Sequence, residues 1–211
     1  MEITDFSKGS VKKNIVRLAV PMTLAQLINV LYNIVDRIYI GRLEQGNALE
    51  LTGLGVCLPV ISIIIAFANL IGMGGAPLFS IQRGKKDDEE AAGILGNCFV
   101  MLLLCGVFLT VVIMAVKKPV LYLLGASDQT YVYADAYLTI YLFGTVFVML
   151  SLGLNQFINA QGFGTTGMLT IVIGAGLNIV LDPVFIYGLH MGVRGAAVAT
   201  VISQFISAVW T

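Results

Sequence analysis

The sequence predicts an all-α integral membrane protein, a bundle of six transmembrane helices. Three observations predict it. Of 211 residues, 58% are hydrophobic and 11% charged, whereas about 25% charge is needed to solvate a soluble domain. Six apolar segments approach or exceed the roughly 20 residues that cross a hydrocarbon core. The breaks between them carry turn or charge chemistry: Gly41-Arg42, Arg83-Gly84-Lys85-Lys86, Lys117-Lys118-Pro119, Gly162-Phe163-Gly164 and Gly192-Val193-Arg194.

Residues 1–14 are polar, with Ser7, Lys8, Ser10, Lys12 and Lys13. They read as a cytoplasmic leader, because the apolar run behind them is too long for the core of a cleavable signal. The remainder, 15–211, divides into predicted helices 15–40, 51–80, 93–116, 131–160, 167–188 and 195–211. Several exceed 25 residues, so tilt or projecting ends are expected. The sixth reaches only about 25 Å at 1.5 Å per residue, against a core of about 30 Å. It reads as a helix cut near its end at Trp210-Thr211. The leader and second connection hold Lys8, Lys12, Lys13, Arg17, Arg83, Lys85 and Lys86, and the opposite side Arg37, Arg42, Lys117, Lys118 and Arg194. That bias places the N-terminus in the cytoplasm of a multi-pass protein of the inner (plasma) membrane.

Composition also excludes. Twelve basic and 12 acidic residues balance to zero, so no basic field awaits nucleic acid. Cys57, Cys98 and Cys105 fall in apolar runs without disulfide or metal spacing and read as packing residues. His190 is the single histidine, too few for a histidine metal cluster, and no organic cofactor is expected. Neither HExxH, GxSxG nor a glycine-rich phosphate loop occurs. The glycines inside the spans (Gly72, Gly74, Gly75, Gly93, Gly96, Gly153, Gly174 and Gly176) are expected at close helix contacts. Pro59, Pro77 and Pro183 are each expected to free a carbonyl and kink their helix.

Asp36 and Asp182 stand in otherwise apolar spans, where an aspartate costs roughly 2.5–3.5 kcal/mol. Asp36 lies five residues before Gly41, Asp182 six before Gly188 and Thr200 five after Gly195. All three should therefore lie about 7–9 Å below the outer boundary. Gln26, Asn29, Asn33 and Asp36 follow a three-four-three spacing that puts them on one face of the first helix. Asn178 stands one turn below Asp182. Such stripes line a cavity or bond helix to helix, and a cavity is the favoured reading. Pro183 cannot donate to the carbonyl of Ile179, so the helix is weakened beside the carboxylate, and bending there could couple its charge state to helix shape.

These residues carry a family resemblance over nearly the whole chain. Pro21-Met22 through Asp36 to Gly41, Gly72 to Gly84 followed by Asp88-Glu89-Glu90-Ala91, and Leu124-Gly125-Ala126 before Ala136-Tyr137-Leu138 resemble successive pieces of the multidrug and toxic compound extrusion (MATE) transporters. The most specific run is Gly176 to Pro183, continued by Gly192 to Thr200. Asn159 departs from the arginine usual at that place.

The resemblance implies the N-terminal six-helix lobe, of the prokaryotic DinF-like branch, of a twelve-helix two-lobe antiporter. Such antiporters export organic cations and other drugs against a proton or sodium gradient. It implies a cation site at Asp36, Asn178, Asp182 and Thr200, with Tyr137 as neighbour, able to take sodium through hard oxygen donors or to relay protons. It also implies a second lobe, either a C-terminal half or a homodimer mate. Phe67, Phe147, Met149 and Phe157 could line a drug surface, although packing explains them more simply.

Rival readings are an intramembrane aspartyl protease, a lipid-linked precursor flippase of the wider superfamily, a passive channel, and an inactive half-transporter fragment. The contexts Val35-Asp36 and Leu181-Asp182 lack the Tyr-Asp and Gly-x-Gly-Asp of the protease. A flippase calls for a cationic cavity, whereas the intramembrane charges here are mainly acidic.

Overall fold

The computed structural model describes residues 10–41 and 48–211, apart from the side chain of Lys13. Most of the predicted leader, and Arg42, lie outside the described residues. The remainder folds into α1 (Val11–Gly41), α2 (Ala48–Gly84), α3 (Asp88–Leu123), α4 (Asp128–Phe143), α5 (Thr145–Ala160), α6 (Gly164–Pro183), a π turn (Val184–Gly188) and α7 (Val193–Trp210). Five helical spans are each long and apolar enough to cross a membrane, and α4 with α5 makes a sixth, bent by 57°. The described chain is thus a multi-pass, all-helical membrane protein.

Local chemistry explains the boundaries. Asp87 accepts the amide of Glu90 at 3.1 Å and starts α3 several residues before the predicted 93. The end of α3 also differs, because the helix continues through Pro119 to Leu123 instead of stopping at the lysine pair. Ser127 and Thr130 form a reciprocal capping box that starts α4. The tight turn before it uses Gly125 at φ +101°, a backbone region that side chains disfavour.

The predicted single helix 131–160 is two helices. At the break, the carbonyl of Leu142 takes the hydroxyl of Thr110 from α3 at 3.0 Å. Gly144 presents bare backbone to Val201, and a Cβ built there would lie 2.5 Å from Val201 Cγ2. The kinks expected at prolines also differ in kind. α2 runs as one continuous helix through Pro59 and Pro77, whereas at Pro183 the α-helix gives way to the π turn.

α1 packs on α6. α2 packs on α3, α4 and α5, and α7 closes the bundle against α4, α5 and α6. Ile64, Leu102, Leu138, Leu142, Met149 and Ile186 fill the core. Val100, Leu104, Phe108 and Val111 form an exposed stripe on α3, the face a lipid-immersed helix needs. Cys57 and Cys98 are buried packing residues and Cys105 is half-buried, all three as free thiols.

Half of the singled-out glycines act as expected. Gly72, Gly75, Gly153 and Gly174 lie against neighbouring helices, whereas Gly74, Gly93, Gly96 and Gly176 face open space in this lobe. A Cβ on Gly72 would come 2.6 Å from the carbonyl oxygen and 2.9 Å from the Cα of Gly153. Backbone cannot yield as a side chain does. Gly72→Ala should therefore force α2 off α5 and lose about 1–3 kcal/mol of stability. Gly74→Ala should lose nearly nothing, and thermal unfolding of the two variants side by side checks the contrast.

Candidate functional site

Three helices build the site. α1 brings Asp36 from its last turns, α6 brings Asn178 and Asp182, and α7 brings Thr200 about two turns from its start. Packing of α1 on α6 and of α6 on α7 closes the triangle. The carboxyl groups of Asp36 and Asp182 lie within hydrogen-bonding reach of each other. Asn178 Nδ2 donates to Asp182 Oδ1 and to Thr200 Oγ1, both at 3.3 Å. Tyr137 on α4 completes the group, its hydroxyl within reach of Thr200.

Burial separates the members into two layers. Asp182 is fully buried and Asn178 is 2% exposed, while Asp36 and Thr200 retain 9% each. A cavity of about 110 Å³ opens onto Asp36, Thr200, Tyr137, Tyr32 and Gln204, with Asn29, Asn33 and Arg37 also on its wall. Asp182 and Asn178 stand behind this wall. Oxygens without a hydrogen-bond partner gather here: Asp36 Oδ1, Asp182 Oδ2, Asn178 Oδ1 and Gln204 Oε1. The group is a cage of acceptor oxygens, and acceptors in contact need a proton or a cation between them.

Asp36 forms no ion pair with its neighbour Arg37 among the described residues. A third carboxylate in a span behaves differently. Asp135 on α4 pairs with Lys117 Nζ at 2.8 Å, and that lysine also donates to Thr139 Oγ1 at 2.7 Å. Asp135 is therefore neutralised in place by a clip joining α3 to α4. Among the described residues Asp36 and Asp182 meet each other and neutral donors, and Arg37 acts on Asp36 through its nearby charge without an ion pair.

The structure brings together Asp36, Asn178, Asp182, Thr200 and Tyr137. It divides the polar stripe of α1. Asn29 and Asn33 line the same cavity as Asp36, and Asn33 Nδ2 also donates to Asn29 Oδ1 at 2.9 Å. Gln26 instead faces a second cavity of about 80 Å³, with Asn155, Gln156 and Asn159 from α5. The aromatic and methionine candidates divide as well. Met149 and Phe157 are core residues, Phe147 stacks edge-on with Phe205 at 5.0 Å, and Phe67 is exposed; none lines either cavity.

Sequence reasoning missed Tyr32, Gln204, Tyr141 and the Asn155–Asn159 pair. Spacing could have found most of them. Tyr32 stands one turn before Asp36, Gln204 one turn after Thr200, and Asn155 one turn before Asn159. Tyr141, stacked on Tyr137 with ring centroids 6.1 Å apart, carries no polar-stripe signal because tyrosine is common in apolar spans.

A membrane-embedded helical lobe with paired carboxylates beside a small polar cavity has the construction of a transporter half. The chain matches the MatE family model over residues 21–184 and belongs to that family. It is 32% identical over 202 residues to the multidrug export protein MepA of Staphylococcus haemolyticus, covering 96% of this chain and 44% of that protein. It is 29% identical to MepA of Staphylococcus aureus, covering 97% of this chain and 45% of that protein. Among solved structures it resembles an outward-facing multidrug resistance MATE family transporter of the MOP superfamily, with TM-score 0.91 and 31% identity. That match covers 99% of this chain and 46% of the other. It is equally similar (TM-score 0.91, 31% identity, 99% and 46% coverage) to a MOP superfamily transporter from Pyrococcus furiosus whose binding pocket is described as of reversed polarity, suggesting a different function. The chain spans about half the length of the curated relatives it matches.

Proposed function

We propose that this chain forms the N-terminal lobe of a secondary active multidrug exporter. In this reading Asp36 and Asp182 share one exchangeable coupling ion, a proton or sodium. The observation that carries the proposal is the contact of two buried carboxylates that form no ion pair with a basic residue among the described residues. Thr200 adds a hydroxyl oxygen and Asn178 its unpartnered amide oxygen, hard oxygens that suit sodium as well as a proton, while the Asn178 amide N–H holds Asp182 and Thr200 in place. Tyr137 lies beside Thr200 and bounds the site. The relatives named as multidrug export proteins support export of cationic or amphipathic small molecules.

Size argues for a second lobe. The cavity beside Asp36 holds about 110 Å³, while sites for drug-sized molecules run to roughly 300–1,000 Å³. Ions and water fit the cavity of this lobe; a drug needs a cleft completed from outside it, by a C-terminal half or a homodimer mate. The leader and the Arg83–Lys86 turn would face the cytoplasm of the inner membrane, and the carboxylates would sit toward the outer leaflet. Pro183 and the π turn supply a deformable segment directly after Asp182. Ion occupancy could therefore be read out as helix shape.

Export of a fluorescent cation from vesicles, with proton and sodium gradients collapsed separately, tests the reading. Collapse of one gradient should stop accumulation and collapse of the other should leave it. Export that survives loss of both would defeat the proposal.

A further inference from the structure

Tyr187 lies in the π turn, five residues beyond Asp182. Its hydroxyl donates to the main-chain carbonyl of Tyr39 on α1 at 2.5 Å, across 148 positions of sequence. The two rings meet edge-on, with centroids 6.3 Å apart and planes at 83°. Tyr39 stands three residues beyond Asp36 and two before Gly41, the last residue of α1. Its carbonyl is therefore among the last four of the helix, which have no partner within it. A side chain from α6's extension supplies that partner.

The π turn makes the reach geometrically available. At 100° per residue, a position five beyond Asp182 on an α-helix would point about 140° away from it. In the π turn the bonding is i to i+5, as in Leu189 N to Val184 O at 2.9 Å, and the wider turn returns the fifth residue toward the starting face. That face looks onto α1. Pro183, which lacks the amide an α-helix would use, stands at the start of the widening.

We infer that Tyr187 is a positioning residue: its hydroxyl clasps the final turn of α1 to the π turn and so sets how closely Asp36 approaches Asp182. The inference rests on the reading that this pair holds the coupling ion. Loss of the clasp removes neither carboxylate but lets α1, and Asp36 with it, move away from α6. Ion affinity then falls, while the transport cycle, once loaded, runs at its former rate.

The test is fluorescent-cation export by the whole transporter in lipid vesicles, measured against the concentration of whichever ion drives it, sodium or proton. Tyr187→Phe removes one oxygen and keeps the ring contact. It should raise the half-saturating ion concentration about three- to tenfold, the worth of one hydrogen bond, with the maximal rate within about twofold. Tyr131→Phe, which removes a hydroxyl bonded to Asp135 away from the site, should match the native protein. A half-saturating concentration unchanged in Tyr187→Phe, or a fall in maximal rate alone, overturns the clasp. Asp36→Asn in the same series separates the two levels. If it keeps the native ion dependence, the site reading falls and the clasp with it; if it loses that dependence while Tyr187→Phe matches native, the clasp alone falls. Spin labels at the exposed positions Ile38 and Leu189 give an independent check, with a broadened distance distribution expected in Tyr187→Phe and an unchanged one counting against the clasp.

Discussion

Replacing either Asp36 or Asp182 by asparagine is expected to reduce ion-driven export by roughly a hundredfold, equivalent to about 3 kcal/mol of lost ion stabilisation. The substitution preserves size and removes charge, so it separates electrostatics from packing. Asp36 borders the cavity and Asp182 lies fully buried behind it. If each carboxylate held its own ion, the exposed member would dominate and the buried one would matter mainly for stability. Because their carboxyl groups meet, either loss leaves a lone acid unable to bind the shared ion as tightly, and the two variants should look alike. Asp135→Asn gives the contrast. Its carboxylate is already neutralised by Lys117 at 2.8 Å, so that variant should unsettle the α3–α4 clip and leave ion dependence near native. Export measured across both gradients reads all three.

Gly195→Val is expected to be the most disruptive single change to the fold around the site. A Cβ at Gly195 would lie 2.7 Å from the carbonyl carbon of Phe185, 2.8 Å from its oxygen and 2.9 Å from the amide of Ile186. All three are backbone atoms of the π turn, so nothing flexible can move aside. Two further carbons make the overpacking worse, and a loss of about 3 kcal/mol, at the upper end of overpacking penalties, should follow. The first turn of α7 would be driven off the π turn, carrying Thr200 away from Asn178, now bonded to it at 3.3 Å. Thermal unfolding should show the destabilisation, and the half-saturating ion concentration should rise in whatever protein remains folded. Gly176→Ala, on an open face of α6, should change neither. Equal stability of both variants would mean that α7 does not bear on the π turn as described.

Much of the site was legible because its residues are expensive where they stand. An aspartate in an apolar run announces itself, and helical spacing ties Asn29 and Asn33 to Asp36 and Asn178 to Asp182. Depth from the nearest turn brought in Thr200. Tyr137 entered only through the family resemblance, since a tyrosine in an apolar span has no distinguishing cost. The limits lay in long-range packing. Gly144 looked like any other of 23 glycines, and only the approach of Val201 and the Thr110 hydroxyl makes it a 57° bend. Pro183 marked a weak point in its helix, but a π turn that swings Tyr187 onto Tyr39 depends on partners 148 positions apart. Gln26 fitted the stripe by spacing, yet α5 places Asn155 and Asn159 against that end of α1 and divides one cavity face into two.

The most direct test of a shared site is to count ions bound by the purified transporter in lipid discs, using radioactive sodium and, separately, protons released on adding a transported cation. A paired site requires that Asp36→Asn and Asp182→Asn each abolish the whole exchangeable ion of this lobe. Retention of that ion by either variant would show that the two carboxylates act independently and contradict the account.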